Sequence, residues 1–210
     1  TTSTLALGMG LAEEYDVTVV DADTGMANLL FHAGLDDANV TLHDLLVADR
    51  NVDVDDAVYD RFGMSVVPCG TSLDRFAAAD PERLRDVVAD LAADTDVLLL
   101  DSPAALGSKS AVLPIVLADR TVIVLQPTVP SLSDGLKVQE YARSYGTVAA
   151  GVLFNKVHGR LGRVADRVEA QFGAGTLAAA FREAATTLEP RPGRAGAVAD
   201  RFREAVVPES

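Results

Sequence analysis

Tryptophan is absent from this 210-residue chain, and it holds one cysteine, three histidines and three lysines. The single thiol, Cys69, excludes an internal disulfide and any metal site built on a cysteine pair. With so few lysines, and with Asp far outnumbering Glu, the net charge is −13. Such a surface works against non-specific binding of DNA or anionic lipid through bulk charge. It suits solubility at high salt, a halophilic setting in which charge is screened over a few Å. No apolar run reaches the roughly 18 residues of a membrane span. The opening residues lack the basic region and cleavage pattern of a secretory leader. Together these absences point to a cytoplasmic protein. The initiator Met is also missing and the chain opens inside an apolar, helix-like pattern, so residue 1 reads as a cut.

What is present favours a folded domain. Hydrophobic residues make up 49% and charged residues 23%, a composition that supports a core, and the length suits one domain. Short apolar runs recur, each closed by a polar turn. Val17 to Val20 ends at Asp21, Met64 to Val67 at Pro68, and Val97 to Leu100 at Asp101. Thr121 to Leu125 ends at Gln126-Pro127, and Val148 to Phe154 at Asn155-Lys156. Their lack of polar alternation predicts strands buried on both faces. Helical patterns fall between them over 1–14, 81–93, 108–118 and 131–144. The second opens with an Asp80 cap and Pro81, the last with Ser131 as cap. Alternating strand and helix predicts an α/β fold, a mostly parallel central sheet with helices on both faces. Residues 189–194 read as a loop before a short final helix, 195–206.

Ligands of such sheets sit beyond the carboxyl ends of the strands, and those ends carry the chemistry here. Asp21-Ala22-Asp23-Thr24-Gly25 places two carboxylates at i and i+2 on a strand exit. One can support a Mg²⁺-bound water while the other orients an attacking water; a plain Asp-rich turn is the competing reading. Val97-Leu98-Leu99-Leu100-Asp101-Ser102-Pro103 has a Walker B pattern, in which a buried strand fixes a metal-binding carboxylate. It fits an ordinary core strand too. The hydroxyls of Thr1-Thr2-Ser3-Thr4 start a helix and serve either as caps or as ligands beside phosphate. Asn155 can bond a purine edge or simply form a turn. His32, His43 and His158 lack metal-ligand spacing and read as surface or loop residues. Cys69 has no base nearby in sequence and reads as structural. Arg75, Arg83 and Arg85 read as a solvated helix face.

In order and spacing, these pieces resemble the MinD/ParA family of deviant Walker ATPases. Thr1-Thr2-Ser3-Thr4-Leu5-Ala6-Leu7-Gly8 is similar to the stretch after Lys-Gly-Gly-x-Gly-Lys. Asp21 to Leu29 resembles the switch I segment, Asp-x-Asp-x-Gly-x-x-Asn, and Asp101-Ser102-Pro103-Ala104-Ala105 the switch II segment, Asp-x-Pro-Ala-Gly. Ala118-Asp119-Arg120 through Gln126-Pro127, and Ser131-x-x-Asp134, match the next strand and helix start. The likeness covers about residues 1–160. It implies a three-layer P-loop NTPase-like domain over 1–210, truncated at its amino end, with 189–210 a variable tail. It also implies a homodimer with ATP and Mg²⁺ that hydrolyses ATP slowly and switches an unidentified protein partner or cargo. Such proteins position division sites, chromosomes, plasmids or polar cargo. Thr1 would then ligate Mg²⁺ and Thr2 touch the α-phosphate. Asp21 would support the metal shell and Asp23 the attacking water. Asn28 would lie near phosphate and the dimer face, Asp101 would be the Walker B ligand, and Asn155 would read adenine.

The chain departs from the pattern in four places. The Gly-Lys pair and signature lysine are absent, so much of the charge stabilisation of the transition state is missing. As given, the chain is expected to bind ATP poorly. Ala105 replaces the switch II glycine. The late strand and its Ile-Pro-x-Asp turn are not recognisable after residue 160. No basic amphipathic helix closes the chain, which leaves a membrane anchor unsupported. The competing function is a nucleotide-independent scaffold that kept the fold and lost the loop. An iron–sulfur ATPase would need cysteine pairs.

Overall fold

The computed structural model describes residues 1–48, 52–103, 107–156 and 176–181. Ala105, His158, the loop at 189–194 and the final helix expected at 195–206 lie outside them. Strands β1 (Val17–Asp21), β2 (Tyr59–Arg61), β3 (Met64–Val67) and β4 (Val97–Asp101) form one sheet in the order β2-β3-β1-β4. β1 pairs in parallel with β3 and β4, whereas β2 returns antiparallel to β3 through a tight turn at Phe62-Gly63, both with positive φ. A second sheet joins β5 (Arg120–Leu125), β6 (Val148–Asn155) and β7 (Thr176–Phe181) in parallel. The fold class is the expected one, a mostly parallel sheet system with helices around it.

β1 is the middle of the first sheet and is buried throughout. Its alternate side chains feed two layers, as strand geometry requires. Val17 and Val19 pack with Leu5, Ala6, Leu7 and Leu11 of α1 (Thr2–Leu11) and with Leu29 and Leu30 of α2 (Leu29–His32). Val20 and Ala22 pack on the other face with Leu42, Leu45 and Leu46 of α3 (Leu42–Leu46). Leu84, Val87 and Leu91 of α5 (Leu84–Ala93) and Leu113 of α6 (Lys109–Leu117) complete that layer. Leu84, Val87 and Leu91 are spaced to line one helical stripe. Each such Leu or Val contributes about 1.5–3 kcal/mol relative to its exposed state. Gly8 lets α1 approach β1 closely: a Cβ there would stand 2.6 Å from Met64 Sδ and 2.9 Å from Val19 Cγ2.

Several expectations need correction. The helix expected over 81–93 begins as a 3-10 turn at Pro81–Arg83, with Asp80 capping the Glu82 amide, before α5 proper. The helix expected from Ser131 is α7 (Val129–Ser144), capped at Thr128 with Pro130 in its first turn. Ser131 Oγ instead accepts the Gln126 amide at 2.9 Å and ties strand exit to helix. A late strand, β7, does follow residue 160. The short elements α3, α4 (Leu73–Ala78) and β2 were not foreseen, because three to six residues carry too little periodicity. Among the described residues, no helix is long and apolar enough to cross a membrane.

Candidate functional site

Parallel register sets Asp21 beside Asp101 at the carboxyl ends of β1 and β4. Neighbouring strands lie about 4.8 Å apart, and both carboxylates are buried, 0% and 5% exposed. Two acids this close and this dry disfavour joint ionisation. Burial first, then the charge of Asp101, pushes Asp21 up to about 7, against the opposing bonds from the Leu29 and Asp23 amides.

The two carboxylates have different duties. Asp21 is satisfied by backbone: Leu29 N–H donates to Oδ2 at 3.1 Å and Asp23 N–H to Oδ1 at 3.3 Å. It therefore shapes the 22–28 loop from inside. Asp101 faces the start of α1. Thr4 Oγ1 donates to its Oδ1 at 2.8 Å, and the Thr1 nitrogen lies 2.9 Å from the same oxygen. Its Oδ2 is buried without a partner. An orphaned carboxylate oxygen is costly to bury; it is the atom here left to take a cation, while the helix amino end beside it favours an anion such as phosphate. Among the described residues, no group of three or more His, Cys, Asp or Glu could hold a metal by itself. Mg²⁺ takes one or two carboxylates and completes its shell with water and phosphate. Thr1 occupies the helix N-cap without a side-chain capping bond, so capping does not account for its hydroxyl.

The remaining expected residues surround this point. Asp23 is half-buried and its Oδ1 accepts the Met26 amide at 3.1 Å. Asn28 is exposed, and its Nδ2 donates to the Met26 carbonyl at 2.9 Å. Both brace the loop in this structure. Asn155 ends β6, and its Nδ2 lies 3.5 Å from Ser3 Oγ on α1. Its Oδ1 accepts the Lys156 amide at 2.7 Å, which supports a positive φ at Lys156. Thr2 is partly buried in the first turn of α1. Asp21, Asp23, Asp101, Thr1 and Thr2 are thus gathered at one edge, and Asn155 reaches α1 from the second sheet.

Sequence reasoning missed three residues. Thr4 lies three positions after Thr1, hence on the same helical face, and that spacing was a usable signal. His43 is not a surface residue: it is 1% exposed, and its Nε2 lies 3.1 Å from the Thr24 carbonyl oxygen. Arg75 is not simply solvated, since Nη1 donates to buried Asp44 Oδ2 at 2.7 Å. No local pattern announces contacts across 19 and 31 residues of sequence. Cys69 is buried and inert, its thiol pushed far up by burial.

No protein-family model matches the chain. An ATP-binding protein of Methanocaldococcus jannaschii is 37% identical over 142 residues, 67% of this chain and 53% of that protein. The chain therefore spans about half the length of this relative. The cell division ATPase MinD of Pyrococcus furiosus superposes with a TM-score of 0.84 at 26% identity, covering 97% of this chain and 92% of that one. The septum site-determining protein MinD of Pyrococcus horikoshii, complexed with Mg-ADP, also gives 0.84, at 27% identity over 98% of this chain and 90% of that one. With its paired strand-end aspartates and parallel sheet, the chain belongs to the MinD/ParA family of P-loop ATPases.

Proposed function

We propose that this chain is part of an ATP-dependent dimerisation switch that positions a division site, a chromosome, a plasmid or a polar cargo. The observation that carries the reading is the unpartnered Asp101 Oδ2 at the amino end of α1, beside Asp21. Mg²⁺, when bound with ATP, supplies charge neutralisation at the phosphate oxygens. Asp101 and the Thr1 hydroxyl hold the cation. Asp21, with both oxygens committed to backbone amides, sets the loop rather than ligating. Asp23, half-exposed on that loop, orients the attacking water. The first amides of α1, at Thr2 and Ser3, face phosphate. Asn155 holds the edge of the base.

The phosphate loop itself belongs, on this reading, to a strand that precedes Thr1. Among the described residues, β4 is paired only with β1 and β5 only with β6. The apolar run Val97 to Leu100 stays half-exposed, while β1 is fully buried. Yet Val97, Leu99, Val122 and Leu153 from the two sheets all pack against the α1 core. A parallel strand between β4 and β5 would pair both open edges and end at the amino terminus of α1. It would then reach β1 by an ordinary crossover.

The test uses protein extended upstream of Thr1. Asp101→Asn is expected to weaken Mg²⁺-dependent ATP binding at least about tenfold by calorimetry. Asp23→Ala is expected to abolish turnover while sparing binding. ATP, but not ADP, is expected to shift the light-scattering mass to a dimer. Equal ATP affinity in wild type and Asp101→Asn, with and without Mg²⁺, overturns the reading.

A further inference from the structure

The loop carrying Asp23 is held from the opposite layer by a buried histidine that the chemistry above does not use. Residues 22–27 leave β1, and their central carbonyl, that of Thr24, lies 3.1 Å from His43 Nε2. A carbonyl only accepts, so Nε2 carries the proton and donates. The ring cannot easily turn away. Leu42 N–H donates to the Pro68 carbonyl at 2.8 Å, which docks the start of α3 on the exit of β3. A Cβ at Gly70 would stand 2.8 Å from Thr41 Oγ1 and 3.2 Å from His43 Nδ1, so backbone closes on the ring. The Phe76 ring lies 5.9 Å away at 51°.

The next residue locks the same turn. Asp44 Oδ2 accepts from the Thr41 amide and hydroxyl, both at 3.0 Å, and from Arg75. His43 Nδ1 is buried with no partner. Leaving a polar atom unsatisfied is costly, and an apolar side chain would fill the space without that cost. What the histidine adds over an apolar residue is one donor aimed at Thr24.

We propose that His43 is a positioning residue for ATP hydrolysis: through the Thr24 carbonyl it fixes the loop that presents the Asp23 carboxylate. This rests on the ATPase reading. His43 acts on the residue next to Asp23. By the same contacts it links that loop to α4, where Leu73 and Phe76 are exposed beside Arg75.

The test compares three variants in the full-length protein. His43→Gln keeps an N–H donor near the Nε2 position, His43→Asn keeps a donor too short to reach, and His43→Leu fills the volume without one. Amide exchange of residues 23–27 is read without nucleotide, and kcat and KM for ATP are read separately. The Asn and Leu variants are expected to speed loop exchange and lower kcat, each about tenfold or more, with KM changed less than about threefold. Gln is expected to stay within about threefold of wild type in both. Matched behaviour of Gln, Asn and Leu, or loop exchange unchanged in all three, overturns the proposal. If Leu fails to fold, the Gln–Asn pair decides. If no variant or wild type hydrolyses ATP, the exchange result still judges the hold on Thr24, and the ATPase reading is what falls.

Discussion

The sheet of β1 to β4 and the sheet of β5 to β7 are built to different standards. β1 is buried along its whole length and has a dense apolar layer on each face. β5 and β6 share a small core of Ile123, Leu125, Val152 and Phe154, covered by Leu132 and Leu136 of α7. Val124 and Val148 remain 46% and 56% exposed. The carboxylates stand on the first sheet, whereas Asn155 stands on the second and reaches Ser3 of α1. The half expected to hold metal and phosphate is thus the more deeply buried one. The half expected to read the base meets the first where Val122 and Leu153 join the α1 core.

The comparison can be broken most forcefully at Leu5, which is fully buried in the α1 core, where Val122 and Leu153 of the second sheet also pack. Leu5→Ala is expected to cost about 3–5 kcal/mol in urea unfolding. A loss under 1 kcal/mol would mean α1 is not the shared support of the two sheets.

Next in size is the pH response of Asp21. Its folded pKa, about 7, exceeds the ordinary 3.8, so the folded state binds the extra proton. The contribution of Asp21 to the stability of metal-free protein is therefore fully present below about pH 4 and is lost as pH rises to about 7, by at most roughly 4 kcal/mol. Melts of wild type between pH 5 and 7.5 should show this fall, Asp21→Asn should flatten it, and Mg²⁺ with nucleotide should offset it. A wild-type melting temperature that rises with pH, matched by Asp21→Asn, would contradict it.

Gly8→Ala sharpens the contrast at the closest helix–sheet contact. Met64 can move, but Val19 is a stiff strand residue, so a loss of about 1–3 kcal/mol is expected. An unchanged denaturation midpoint would show that α1 lifts freely from β1. The smallest effect is at the β2–β3 turn, where Phe62 sits at φ 56. Phe62→Asn is expected to raise stability by under about 1 kcal/mol, because Asn tolerates that conformation better. Destabilisation in a thermal melt would mean that the ring, not the backbone, matters there.

The five short apolar runs were legible as strands because their β-branched and Leu composition closes at polar turns, although the burial expected on both faces holds throughout only for β1 among them. Asp21 and Asp101 were legible as strand-end acids, since each closes an apolar run at the end where ligands of parallel sheets sit. The role of each was not. Nothing in the sequence says that Asp21 spends both oxygens on Leu29 and Asp23 amides, while Asp101 keeps one unbonded. His43 and Arg75 were misread because α3 and α4 are five and six residues long, too short for periodicity to mark an inner face.

Local order of residues is enough to specify alternating strands and helices, their approximate limits and the acids at their ends, because hydrophobic period and turn chemistry act over a few residues. Register between β1 and β4, the closure of backbone around His43 and the packing of Val122 and Leu153 on the α1 core arise only when distant segments meet. Their energies depend on burial and on distances between side chains, and neither exists before the chain is packed.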